Sequence, residues 1–173
     1  SGGTAAQYTG APWHSNIGIE VINSNPHIEN CSVMRAKTAG AKFVNSNVTL
    51  SRGFFSYRNY TLPAPGSARG LQKTAGIHAI NSRVDLQINP TYASGSDYAF
   101  NTQQHDYGIL LENSVLTGGQ AAPYGYFAGT DLAFSYNKTG IKATNSVIDL
   151  KGTLDVYNNQ TGLDLVNTTL STD

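Results

Sequence analysis

Four carboxylates, Asp97, Asp106, Glu112 and Asp131, are the candidate catalytic residues of this chain, because they take outward positions in or beside its irregular aromatic segments. Glycoside hydrolysis needs two carboxyl groups roughly 5 to 9.5 Å apart across a groove, and eliminative cleavage needs a base, a cation and often a metal. Asp97 and Asp131 stand at similar ends of two such segments and form the pair able to approach each other, while His105 adjoins Asp106. His14, His27, His78 and His105 show no metal-ligand spacing, so they read as surface residues and no metal is expected. No Ser lies in a nucleophile elbow and the glycines do not form a phosphate cradle, so no cofactor is expected either.

Tyr92, Tyr98, Tyr107, Tyr124, Tyr126 and Phe127 crowd the same segments and are the candidate ligand-binding residues. An aromatic face with a polar tip suits a sugar ring, whose C–H patches are flanked by hydroxyls, and it suits a protein contact equally well. Packing of the rings onto the scaffold is the third use open to them.

What must position these side chains is a repeat. Gly140-Ile-Lys-Ala-Thr-Asn-Ser-Val-Ile-Asp-Leu150 has relatives opening at Gly18, Gly40, Gly76, Gly108 and Gly162. In every copy an Asn follows five residues after the Gly, at Asn23, Asn45, Asn81, Asn113, Asn145 and Asn167. The residues one and three after the Gly are apolar throughout, and the residue between them is Glu20, Lys42, His78, Leu110, Lys142 or Asp164, the alternation of a strand with one buried and one wet face. An apolar-patterned segment resumes directly after the Asn, so each unit is strand, tight corner, strand. Asn suits the corner because it tolerates the left-handed backbone region, and stacked corners would form an Asn ladder.

The bare unit of 22 residues is too short for a propeller blade and has no helical half, but it suits one coil of a parallel β-helix with a third strand before each Gly. The expected architecture is all-β, about six coils of ~22 residues stacked at roughly 4.8 Å per coil. Residues 1–17 read as a tag remnant and an N-terminal cap holding Trp13, and 18–173 as the coils. Insertions are expected at about 59–74, 87–97 and 117–130, the last two from equivalent corners of adjacent coils and therefore side by side. On this register Glu112 lies over Ile80 and under Thr144, without an acidic partner in its own column.

Hydrophobic content of 39% with 13% charged residues is compatible with a packed core. Lys plus Arg and Asp plus Glu are balanced at 11 each with no basic cluster, so a nucleic-acid partner is not expected. No apolar run is long enough for a membrane span, and the single Cys31 excludes a disulfide within the chain. The chain reads as an excised fragment of something longer.

The Gly-Ile-x-Ala-x-Asn-Ser-x-Val-x-Leu unit resembles, over nearly the whole chain, the right-handed parallel β-helix of the pectate-lyase-like superfamily, in which an Asn-containing turn joins the second and third strands of each coil. The low-charge, Asn/Ser/Thr-rich coils with irregular aromatic loops look most like bacteriophage tailspike and tail-fibre proteins. That resemblance implies a right-handed single-stranded β-helix, a homotrimer, a place in the virion beside other virion proteins, and binding of host surface polysaccharide or lipopolysaccharide. Since no acidic cluster stands out, the expected function is structural and receptor-binding. The alternatives are a polysaccharide depolymerase or lyase using Asp97, Asp131, Asp106 or Glu112, and a passenger fragment of a bacterial surface adhesin.

Overall fold

The computed structural model describes residues 15–34, 36, 38–56, 74–87, 100–119, 132–151 and 154–172. Trp13 and most of the three insertions lie outside this set. The first copy of the repeat supplies β1 (Ile17–Ile22) and β2 (His27–Met34), and the second β3 (Ala39–Val44) and β4 (Asn47–Ser56). The third supplies β5 (Ala75–Ile80), β6 (Arg83–Gln87) and β7 (Phe100–Gln103), and the fourth β8 (Tyr107–Glu112), β9 (Val115–Gly119) and β10 (Leu132–Ser135). The fifth supplies β11 (Thr139–Thr144), β12 (Val147–Lys151) and β13 (Leu154–Tyr157), and the sixth β14 (Thr161–Val166) and β15 (Thr169–Thr172). The described chain is all-β, without a helix.

Every strand pairs in parallel with its counterpart in the neighbouring copy. The first sheet runs β1-β3-β5-β8-β11-β14, and the second collects the remaining nine strands. Register is kept through all six copies, with Ile19, Ala41, Ile77, Ile109, Ile141 and Leu163 in one column and Val21, Phe43, Ala79, Leu111, Ala143 and Leu165 in another. These columns point inward and meet Val48, Val84, Leu116 and Ile148 from the second sheet, all four fully buried. Burying such a side chain contributes roughly 1.5–3 kcal/mol, and the burial exists only because copies stack. This arrangement is compatible with a parallel β-helix.

One difference from the sequence expectation concerns the first two copies, where second and third strands are not separate. β2 and β4 each run through both, and the register is the same on either side of the bend, from His27–Thr49 to Met34–Ser56. No insertion falls between the second and third strands of these copies, and Asn30, at φ 50°, bends the chain without breaking the sheet. β4 then pairs with β6 through its first half and with β7 through its second.

The corner after the first strand explains the Asn-Ser dipeptide. Asn23, Asn45, Asn81, Asn113, Asn145 and Asn167 all take φ between 47° and 51°, the left-handed region that Asn tolerates. Their amides bond along the stack at 3.3 Å, Asn45 to Asn23, Asn81 to Asn45, Asn145 to Asn113 and Asn167 to Asn145. Beneath this exposed ladder runs a buried one. The Ser46, Ser82, Ser114 and Ser146 hydroxyls each donate at 2.8 Å to the carbonyl two residues back. They also accept from the peptide N–H of Ser24, Ser46, Ser82 and Ser114 in the preceding copy.

Removing one hydroxyl should therefore strand a buried peptide N–H. Ser114→Ala is expected to cost about 1–3 kcal/mol in denaturant unfolding, since the methyl fits the space but leaves the Ser82 amide without its acceptor. Faster hydrogen exchange at the Ser82 amide is the specific sign. Exchange there unchanged from wild type would contradict the relay.

Candidate functional site

The insertions leave from paired strands. Leu86 near the end of β6 pairs with Gly118 in β9, and Phe100 at the start of β7 pairs with Leu132 at the start of β10. Residues 88–99 and 120–131 therefore depart and rejoin at neighbouring positions of adjacent copies. Asp97, Asp131, Tyr92, Tyr98, Tyr124, Tyr126 and Phe127 all fall in these segments and lie outside the described residues. The insertion boundaries shift. Gln87 ends β6, and residues 117–119 continue β9 because they find partners in Asp149, Leu150 and Lys151 of β12. Thr74, placed by sequence in the first insertion, is buried and belongs to the corner that opens β5.

Asp106 is held in that corner. Its Oδ2 accepts from the Thr74 peptide N–H at 2.7 Å, and its own N–H donates to Thr74 Oγ1 at 3.0 Å. This reciprocal pair closes the turn between copies and leaves the carboxylate a structural task. His105 corrects the surface reading, since it is only 4% exposed. It follows Gln104 (φ 63°), just as Asn137 follows Tyr136 (φ 55°) and Asn159 follows Asn158 (φ 54°). Its peptide N–H donates to Asn137 Oδ1, and that of Asn137 donates to Asn159 Oδ1, so the position after the left-handed residue faces inward at this second corner.

Glu112 pairs in register with Ile80 and Thr144, as the repeat implies. Its Oε1 stands 2.7 Å from His78 Nε2, an inter-copy contact between adjacent outward columns that its own column does not reveal. Tyr107 lies on the outward face of the first sheet, where Lys142 Nζ sits 6.0 Å from its ring centroid, within reach of a cation–π attraction. Around them lies an open trough of about 630 Å³, bordered by Thr38, Ala39, Lys42, Ala75 and Leu110 as well.

Charges on this face are matched in pairs along the stack. Lys42 meets Glu20 at 3.3 Å, and Lys142 meets Asp164 at 2.5 Å. The hydrogen bond to Asp164 raises the Lys142 pKa above its ordinary value. A lysine whose folded pKa is raised contributes stability that is complete below the unfolded value, about 10.4, and disappears as pH climbs through the folded one. Both partners are about one-third exposed or more, so the gain should stay under about 1 kcal/mol. Asp164→Asn is expected to flatten the alkaline fall of Tm in the wild type; an identical fall in both would remove the pair from the account.

Sequence reasoning missed one polar column. Thr49, Asp85, Thr117, Asp149 and Ser171 stand in register on the outward side of the second sheet. Thr117 Oγ1 donates to Asp85 Oδ1 at 2.9 Å, and Gln87 Nε2 donates to Asp85 Oδ2 at 3.0 Å. Aligning the copies at the residue four beyond each Asn would have found it. Among the described residues no group of three or more His, Cys, Asp or Glu side chains could hold a metal ion. No protein-family model, curated protein or solved structure matches the chain.

Proposed function

We propose that this chain is a right-handed parallel β-helical segment of a bacteriophage tail fibre or tailspike, serving as a rigid stalk that carries a receptor-binding surface for host polysaccharide or lipopolysaccharide. The observation that supports this reading most directly is the departure of residues 88–99 and 120–131 from paired positions on an in-register stack. Both stretches are rich in aromatic residues and their flanking strands are neighbours on a stiff support, which suits contact with a repeating polymer. A trimer of such segments, alongside other virion proteins, belongs to the same proposal.

A non-catalytic role is favoured by where five of the eight described acids are spent. Asp106 closes a corner, Asp85 takes Thr117 and Gln87, and Glu20, Glu112 and Asp164 each face a basic side chain. The test is a glycan array of bacterial capsular polysaccharides and O-chains, with reducing ends assayed on every glycan retained. Retention without release of reducing ends is the expected result. Release that disappears in Asp97→Asn or Asp131→Asn would replace the stalk reading with a depolymerase or lyase, and retention of no glycan would remove the receptor-binding half.

A further inference from the structure

The two ends of the described stack are complementary to each other. Among the described residues β14 and β15 pair on one side only, as do β1 and β2 at the opposite end. The sixth copy leaves its inward columns uncovered, with Leu163 38% and Leu170 37% exposed where Ile141 and Ile148 of the fifth are fully buried. Ile19 and Val21 of the first copy are likewise only partly buried, against complete burial of Ala41 and Phe43. A strand edge with an apolar interior behind it is a template for another strand.

What such an edge takes is shown at every junction within the chain, where the next copy of the unit covers it. In each of the first five copies the peptide N–H of the corner Asn donates to a carbonyl of the next copy. The N–H of the Ser that follows donates to the next copy's Ser or Thr hydroxyl. In the sixth copy the N–H groups of Asn167 and Thr168 have no such counterpart among the described residues, and neither does Asn167 Oδ1. The first copy carries the matching groups at the same positions of the unit, in the Ile22 carbonyl, the Ser24 hydroxyl and the Asn23 side-chain amide.

We propose that β14 and β15 of one molecule take β1 and β2 of a second, so that copies of this chain join head to tail through the contact that already joins its own units. Continuing the register sets Leu163 over Ile19, Leu165 over Val21 and Asn167 over Asn23 of the second molecule. One position opposes the joint. Asp164 meets Glu20 there, like charges directly opposite, although each already faces its own lysine, Lys142 and Lys42. Salt screens that repulsion and strengthens the joint. The contact is heterologous and gives an open-ended series, unlike the closed trimer of the attachment reading, on which it does not depend.

Sedimentation equilibrium of the full chain, up to millimolar concentration and at low and high salt, tests this. Assemblies should grow with concentration without a limiting size, and further at high salt. Gly162→Ala is the decisive variant. A Cβ at Gly162 meets only Val156 Cγ1, at 3.6 Å, whereas one at Gly140 would lie 2.7 Å from the Gly162 carbonyl oxygen of the next copy. In the joined pair the Gly18 carbonyl of the second molecule takes that place, so the variant should fold like wild type and associate at least about tenfold more weakly. Glu20→Gln removes the like charge and should tighten association several-fold while reducing its salt dependence. Asp85→Asn, on the outward side of the second sheet, should associate like wild type. The proposal is overturned if the chain stays monomeric at millimolar concentration in high salt, if growth stops at three chains, or if Gly162→Ala or Glu20→Gln associates like wild type. Glycan retention is read separately on the array, so failure of the joint and failure of the attachment role are distinguishable.

Discussion

Gly108→Ala should destabilise the protein by about 3 kcal/mol or more, while Gly162→Ala, the same change in the same column, should stay within about 0.5 kcal/mol of wild type. A Cβ at Gly108 would lie 2.5 Å from the Gly140 carbonyl oxygen, 2.7 Å from Thr102 Oγ1 and 2.8 Å from Asn137 Nδ2. The first of these is backbone of the next copy and cannot withdraw without breaking the β8–β11 ladder. At Gly162, in the last described copy, the nearest atom to a new Cβ is Val156 Cγ1 at 3.6 Å, an ordinary contact. Urea unfolding of the two variants beside wild type makes the comparison. Equal losses at both sites would show that glycine is needed for backbone conformation rather than for the room it leaves.

Phe134→Ala carries the other large effect, about 3–5 kcal/mol, because it deletes one of the two largest fully buried side chains among the described residues and the surrounding columns cannot collapse inward. For a chain of this length that is a fall in Tm of roughly 6–20 °C. Phe134 lies in β10 between Thr102 of β7 and Val156 of β13, so its ring packs across the junctions between adjacent copies, and those junctions are what the substitution weakens. In a one-dimensional stack such damage is local before it is global. Hydrogen exchange should accelerate in β7, β10 and β13 ahead of β3. Uniform acceleration along the chain would mean that the copies unfold as one unit and that nearest-neighbour coupling does not describe them.

Much of the architecture could be read from residue types alone. The apolar columns from Ile19 to Leu163 and from Val21 to Leu165, the outward run from Glu20 to Asp164, and the corners at the six Asn residues all follow from a period of two and the backbone tolerance of Asn. These are local rules, satisfied within a single copy, and for that reason a linear sequence displays them. The candidate site was less legible. Of the four proposed carboxylates only Asp106 and Glu112 lie among the described residues. The fates of these two, a corner closed with Thr74 and a contact with His78, depend on residues about one copy away.

What the amino-acid sequence determined by itself is the unit: which residues point in, which point out, and where the chain turns. The tertiary structure alone decided what each residue meets at its own height in the next copy. That is why Gly108 reads in sequence as punctuation but proves to be clearance for a carbonyl, and why Ser114 reads as a polar turn residue but proves to be a buried relay. Stacking brings together residues 22 to 36 positions apart at the spacing of neighbouring strands, and their interactions are set by that distance rather than by separation along the chain.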